Sequence, residues 1–137
     1  MQKYLPMVIE NTMGAEIVVA DNGSTDGSVE WLRKEYPYTR LIALNKNYGF
    51  AEGYNRAIAQ VDSEYVVLLN SDVEVTPHWL DTMLEYMDAH PNVMAAQPKV
   101  LSWNSKQKFE AGKREAISFE HAGAAGGMMD ILGYPYC

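Results

Sequence analysis

The chain has 137 residues, of which 47% are hydrophobic and 21% charged, and its formal net charge is −7. That length fits one domain with a substantial core, and the acidic balance argues against nucleic acid as a partner, because phosphate binding needs clustered Lys and Arg. The single cysteine, Cys137, excludes an intramolecular disulfide within this sequence and fits a reducing compartment. No apolar run approaches the ~20 residues that span a bilayer, and the amino end lacks the apolar region of a signal peptide.

Helices and strands are predicted to alternate along the first hundred residues, beginning with a helix. The expected bounds, in chain order, are residues 3–11, 16–20, 26–36, 41–44, 51–61, 65–69, 76–90, and 93–96 with 100–101. Asp26 and Thr76 are the expected N-caps of the second and fourth helices, and His78 falls in the first turn of the fourth. The alternation predicts a parallel sheet covered by helices, with right-handed crossovers.

The strongest strand signal is the unbroken apolar run Tyr65–Leu69, which ends on Asn70-Ser71-Asp72. Such a run is typical of a strand buried on both faces of a parallel sheet. Ligands bind at the carboxyl edge of such sheets, where Asp72 and Glu74 would lie. Two carboxylates there predict a hard cation shared with substrate phosphates. The alternative is a solvated strand end, where polar residues mark a turn.

Polar residues follow each of the three central strands, namely Asp21, Asn45 and Asp72. Parallel strands end at one edge of the sheet, so these residues are expected to converge. The loop after Asp21 is rich in small hydrogen-bonding residues. Asp21 is therefore a candidate acceptor for a base imide or a ribose hydroxyl, and the alternative is an Asx-turn that satisfies nearby backbone amides.

Three segments resemble the motifs of family 2 glycosyltransferases, in the same order and spacing. They are Ile17–Ser28, Asn47–Asn55 and Leu68–Val75, and the last is similar to the metal-binding Asp-x-Asp region. The rhamnosyltransferase-like branch is also similar over Phe119–Gly127 and Gly133–Cys137. The three motifs together are highly specific, although any one alone would not be.

The resemblance implies a GT-A fold, which is a Rossmann-like three-layer α/β/α architecture with a mostly parallel sheet, here incomplete. Residues 1–102 would form the nucleotide-sugar-binding region and residues 103–137 the start of the acceptor side. Asp21 would contact the nucleobase, and Asp72 would bind Mn²⁺ or Mg²⁺ at the diphosphate. The implied donor-binding residues are Asp21, Asn22, Ser24, Asn47, Gly49, Asn55, Asn70, Ser71 and Asp72.

The sequence departs from the family pattern in two respects. Position 70 is Asn, so one carboxylate ligand is expected instead of two, which predicts weaker metal binding. The family's first strand would precede Met1, and the acceptor half with the catalytic base would follow Cys137. We therefore expect this sequence to be a donor-binding fragment, which transfers no sugar alone and either self-associates through exposed strand edges or rearranges.

The resemblance implies inverting sugar transfer from a nucleotide-diphosphate-sugar to a saccharide or lipid-linked saccharide, in the cytoplasm or at the inner face of the membrane. The alternative is a non-catalytic nucleotide-binding or assembly module. A nucleotidyltransferase shares the metal, the diphosphate and the α/β architecture. That class usually needs a Gly-rich loop with Arg and Lys near the first strand, which this sequence lacks.

Overall fold

The computed structural model describes residues 1–98 and 100–102, and the backbone of residues 128–129 and 135–136. The chain divides into two compact units, Met1–Trp79 and Leu80–Cys137. All of the predicted donor-binding residues lie in the first unit. The predicted boundary at residue 102 stays a prediction, and the family-like segments 119–127 and 133–137 lie largely outside the described residues.

The first unit contains three helices and two strands in the predicted alternation. In chain order they are α1 Leu5–Asn11, β1 Val18–Asp21, α2 Ser28–Glu35, β2 Arg40–Ala43 and α3 Phe50–Ile58. Each lies within three residues of its predicted bounds. The strongest burial is that of Leu32 on α2, which is 1% exposed.

Strands β1 and β2 pair in parallel across the α2 crossover, with Val18 opposite Arg40 and Asp21 opposite Ala43. A hydrogen bond of 2.9 Å from the Leu44 amide to the Asp21 carbonyl continues the pairing past β2. This arrangement confirms the α/β class. Neither strand is buried along its whole length, since Ala20 and Ala43 are exposed while Ile42 is buried. Helix α3 packs against β1, and a strand is buried on both faces only where elements cover both.

Helix α2 begins two residues after its predicted N-cap. Gly27 occupies the N-cap position with φ of 82°, and the Asp26 carboxylate accepts a hydrogen bond of 3.0 Å from the Ser28 amide. Hydrogen bonds from the Ser28 side chain and amide lower the pKa of Asp26. Asp26 thus stabilises the start of the helix as expected, although it lies one residue before the N-cap position.

The predicted central strand at Tyr65–Leu69 is not formed. No strand of the described residues includes or pairs with this run, and Val66, Val67 and Leu68 are 43%, 45% and 55% exposed. A Val- and Leu-rich run favours a strand, but a ladder also requires a neighbour whose amides and carbonyls can pair with it. The next buried residue after this run is Val75, which is 7% exposed.

The fourth predicted helix also begins later than its sequence signal. Helix α4 spans Asp81–Ala89, and Thr76 does not cap it. His78, placed by the sequence in the first helical turn, has a φ of 59° instead. A residue in that left-handed region interrupts helical geometry, so regular hydrogen bonding starts only after it.

The predicted strand at residues 93–96 is absent from the described part of the chain, where Met94 is 95% exposed. Residues 100–101 contribute only an isolated bridge at Leu101. Two short strands near the carboxyl end, β3 Met128–Met129 and β4 Pro135–Tyr136, pair in antiparallel fashion. No sequence signal marks this pair, since a two-residue strand carries no hydrophobic period. None of the helices within the described ranges has the length and apolar character of a membrane span.

Candidate donor-binding site

The loop after β1 is folded around the carboxylate of Asp21. Its Oδ2 accepts hydrogen bonds of 3.1 Å from the amides of both Gly23 and Ser24. This is the Asx-turn geometry that the sequence left open as the alternative for Asp21. The other carboxylate oxygen, Oδ1, takes no part in these two bonds, so the turn and a ligand contact are compatible at one side chain.

The loop after β2 is folded in a similar way by Asn47. Its Oδ1 accepts a hydrogen bond of 2.7 Å from the Gly49 amide, and the Tyr48 hydroxyl donates to Asn45 Oδ1 at 2.7 Å. Gly49 has φ of 79° and ψ of −176°, a backbone region that is essentially restricted to glycine. The loop therefore turns sharply into α3 at a position where a side chain would be strained.

The side chain of Asn22 joins the two loops. Its Nδ2 donates to the Gly49 carbonyl at 2.8 Å and to Asn47 Oδ1 at 3.2 Å, while its Oδ1 accepts from the Tyr48 amide at 3.0 Å. The backbones also meet at Gly23, where a Cβ would lie 2.4 Å from the Lys46 carbonyl carbon. The structure thus brings Asp21 and Asn22 of the first loop together with Asn47 and Gly49 of the second, although the two loops lie far apart in the sequence.

Helix α3 connects these loops with the third family-like segment. Gly53 packs against Asn22 so closely that a Cβ would lie 2.8 Å from Asn22 Nδ2. The next residue, Tyr54, donates its hydroxyl to Asn70 Oδ1 at 3.1 Å. Burial raises the pKa of Tyr54, and the negative charge of Asp72 adds to the effect. Consecutive residues of one helix therefore reach the first loop and the Asn70-Ser71-Asp72 turn.

The remaining predicted donor-binding residues lie at the surface. Ser24 uses its amide in the Asp21 turn, Ser71 and Asp72 lie in a turn, and Asn55 is exposed on α3. No side-chain partner defines a role for them in the described structure. Their assignment to nucleotide binding stays a prediction.

Two cations lie on the ring of Tyr48, at the edge of the second loop. Lys46 Nζ is 5.1 Å from the ring centroid and Arg56 Cζ is 4.0 Å from it. Arg56 also forms an ion pair of 2.8 Å with Glu52 one turn earlier on α3. An exposed cation–π contact of this kind is worth about 0.5–1 kcal/mol. Lys46 thus places one positive charge on the second loop, while the charge of Arg56 on α3 is paired with that of Glu52.

The described residues include no group of three or more His, Cys, Asp or Glu side chains that could hold a metal ion. Asp72 is exposed, and the side-chain amide oxygen of Asn70, Oδ1, already accepts a hydrogen bond from the Tyr54 hydroxyl. A single carboxylate does not make a protein cage for a metal. It does fit Mg²⁺ or Mn²⁺ that arrives with a diphosphate and takes its other ligands from phosphate and water.

Tyr54 and Gly53 contribute to this arrangement although neither was a predicted site residue. Tyr54 is half-buried on α3, and a tyrosine hydroxyl in such a position usually needs a hydrogen-bond partner. Gly53 lies inside a helix, where glycine costs about 1 kcal/mol relative to alanine. Such a position often marks a close contact, and here that contact is Asn22.

A parallel β–α–β unit with hydrogen-bonded polar loops after its strands has the architecture in which α/β proteins bind ligands. The sequence comparison defines the class more narrowly. This chain belongs to glycosyl transferase family 2, whose model matches residues 3–127.

Several bacterial transferases are similar to this chain. An N-acetylglucosaminyl-diphospho-decaprenol L-rhamnosyltransferase of Mycobacterium tuberculosis is 30% identical over 95 residues, which cover 61% of this chain and 31% of the relative. An undecaprenyl-phosphate 4-deoxy-4-formamido-L-arabinose transferase of Pectobacterium carotovorum is 31% identical over 97 residues, covering 62% and 30%. The chain thus spans about a third of the length of these relatives. No solved structure matches it.

Proposed function

We propose that this chain is the donor-binding part of a glycosyltransferase that uses a nucleotide-diphosphate-sugar and a divalent cation, and that transfers the sugar with inversion. Family membership supports sugar transfer in general terms. The site residues, the cation and the stereochemistry rest on the family resemblance and on the geometry of the loops.

The observation that carries the proposal is the three-way hydrogen bonding of Asn22. Because Asn22 holds the second loop through Asn47, Tyr48 and Gly49, both loops form one surface after the parallel strands. Asp21 lies at the start of that surface and retains a carboxylate oxygen outside its own turn. A nucleoside needs hydrogen-bonding groups of this kind at fixed positions.

In the proposed reaction, an acceptor hydroxyl oxygen forms a bond to the anomeric carbon as the bond from that carbon to the diphosphate oxygen breaks. The electron pair leaves with the diphosphate, and the hydroxyl proton passes to a carboxylate base. Asp72 would hold the divalent cation at the diphosphate, and the cation would supply Lewis-acid stabilisation of the leaving group. Asp21 and the two loops bind and orient the nucleoside, and no residue of this chain is assigned as the base.

We propose a saccharide or lipid-linked saccharide as the acceptor, with rhamnose as the candidate sugar. The names of the similar transferases, which mention decaprenol and undecaprenyl phosphate, support a polyprenyl-linked acceptor. Such an acceptor would place the protein in the cytoplasm, in peripheral contact with the inner face of the membrane.

Calorimetry with uridine diphosphate and thymidine diphosphate, each with and without Mn²⁺, tests the proposal. We expect at least one diphosphate to bind, and Mn²⁺ to tighten that binding. Inorganic pyrophosphate with Mn²⁺ is the control, because it carries the charge without the nucleoside and should bind more weakly. Failure of both nucleotides to bind, with or without the metal, would contradict the proposal.

The second candidate is a non-catalytic assembly module that forms a homo-oligomer. It is favoured by one observation, the exposure of Val66, Val67 and Leu68 in a sequence of high strand propensity. A second copy could pair with this run and bury it. Light scattering should then give at least a dimer for the chain and a monomer for Val67→Lys, and product analysis should detect no sugar transfer. A monomeric chain would contradict this candidate.

A further inference from the structure

We infer that Tyr54 is a positioning residue, which holds the Asn70-Ser71-Asp72 turn on helix α3 and so fixes the Asp72 carboxylate relative to the nucleotide loops. This inference rests on the proposed function, in which Asp72 binds the cation that accompanies the diphosphate.

No sheet among the described residues positions Asp72. In a parallel sheet, the ladder on either side of a strand fixes where its last residues lie. The run Tyr65–Leu69 belongs to no strand among the described residues, and three of its side chains are substantially exposed. The position of the turn after it must therefore depend on contacts made by individual side chains.

The turn is held by a contact with helix α3. The Tyr54 hydroxyl donates to Asn70 Oδ1 at 3.1 Å, and the Tyr54 ring packs edge-on against Phe50 with centroids 5.0 Å apart. The ring is thus held by its own helix while its hydroxyl reaches the turn. A tyrosine has two side-chain torsions, so little freedom is lost when it forms such a bridge.

The first turn of helix α3, next to Tyr54, is also tied to the two loops after β1 and β2. The Gly53 amide donates to the Gly49 carbonyl at 3.2 Å, and Asn22 Nδ2 donates to that same carbonyl. Gly53 also packs directly on the Asn22 side chain. Gly53, which touches the first loop, and Tyr54, which holds the turn, are therefore consecutive residues of one helix.

The contact also accounts for asparagine at position 70. An amide oxygen accepts the tyrosine hydroxyl as a carboxylate would, but it adds no negative charge two residues from Asp72. Two carboxylates so close would repel each other in the absence of a cation. Asn70 therefore keeps the turn in place without the metal, whereas Asp72 keeps its charge for the ligand.

The test compares Tyr54→Phe with the unaltered chain by two measurements. Amide hydrogen exchange without ligand should become faster at Ser71 and Asp72 and stay unchanged at Gly23 and Ser24. In calorimetry with uridine or thymidine diphosphate, the tightening caused by Mn²⁺ should fall about three- to tenfold, as expected for one lost hydrogen bond. Binding of the same nucleotide in metal-free buffer should change less than about twofold, which shows that the loops are intact.

Tyr38→Phe is the matched control, because it removes the hydroxyl of a fully exposed tyrosine and should alter neither measurement. A double variant with Asn70→Ala should lose no more of the Mn²⁺ effect than either single variant, since both remove the same contact.

Unchanged exchange at Ser71 and Asp72, or a full Mn²⁺ effect in Tyr54→Phe, would overturn the inference. If instead exchange responds as expected but the unaltered chain shows no Mn²⁺-dependent nucleotide binding, the proposed function fails while the anchoring contact stands.

Discussion

The two loops after β1 and β2 and the segment from Tyr65 to Asp72 are held in place in different ways. The loops are fixed by short-range turns at Asp21 and Asn47 and by the three hydrogen bonds of Asn22. The segment forms no strand in the described structure and is tied to α3 through the Tyr54–Asn70 contact. If the chain binds the proposed donor, the two joined loops would hold the nucleoside, and the more weakly held segment would face the diphosphate and its cation.

The difference shows how a site can separate two requirements. A nucleoside is recognised by hydrogen bonds whose donors and acceptors must be fixed beforehand, and preorganised groups lose little freedom on binding. A cation that arrives with a diphosphate brings most of its ligands with it. One carboxylate on a turn is then sufficient, provided that a contact such as Tyr54–Asn70 keeps that turn in place. The following variants test each half against a matched control.

The largest effect is expected where the two loops touch. Gly23→Ala places a Cβ 2.4 Å from the Lys46 carbonyl carbon at φ of 76°, so both strain and a backbone clash oppose folding of the loop. We expect a loss of about 2–4 kcal/mol in the free energy of unfolding, measured by urea denaturation. Gly14→Ala has nearly the same φ, 75°, but meets nothing within 4 Å, and should cost about 1–2 kcal/mol. Equal losses would contradict the close approach of the loops.

The next effect concerns the nucleoside half. Asp21→Ala removes the acceptor of two amide hydrogen bonds and the proposed contact to the base. It should weaken binding of uridine or thymidine diphosphate by about 1.5–3 kcal/mol even in metal-free buffer. Asp26→Ala is the control, because Asp26 also accepts a backbone amide but lies outside the loop contact. Unaltered affinity for Asp21→Ala in the calorimeter would refute its role.

A smaller effect is expected in the diphosphate half. Asp72→Ala should leave metal-free nucleotide binding intact and remove the tightening by Mn²⁺, which we expect to be about tenfold, or ~1.4 kcal/mol. Asp62→Ala is the control, because it removes an exposed carboxylate that lies outside the Asn70-Ser71-Asp72 turn. This variant should keep the Mn²⁺ effect. Survival of that effect in Asp72→Ala would show that the cation is held elsewhere.

The smallest effect tests whether the 65–69 run is packed. Leu68 is 55% exposed, whereas Leu32 is 1% exposed. Leu68→Ala should therefore cost less than about 1 kcal/mol of unfolding free energy, and Leu32→Ala about 2–5 kcal/mol. Similar costs for both variants, measured at the same protein concentration, would mean that the run is buried against a partner.

The elements that the sequence predicts well are those with local signals. Strands β1 and β2, their helices and the turn at Asp21 all carry turn residues, caps or periodic apolar positions within a few residues of each other. The run Tyr65–Leu69 had the strongest apolar signal and yet forms no strand, because pairing depends on a neighbour that its own residues do not specify. Similarly, no local pattern marks Tyr54, whose partner Asn70 lies 16 residues away.

Nuclear magnetic resonance of the amides tests the central claim, that the two joined loops form a nucleotide-binding surface. On titration with uridine or thymidine diphosphate, we expect the amide signals of Gly23, Ser24, Tyr48 and Gly49 to shift together, with one dissociation constant. Signals from α2 residues after Ser28 should stay in place. Shifts confined to other parts of the chain, or none with either nucleotide, would contradict the account.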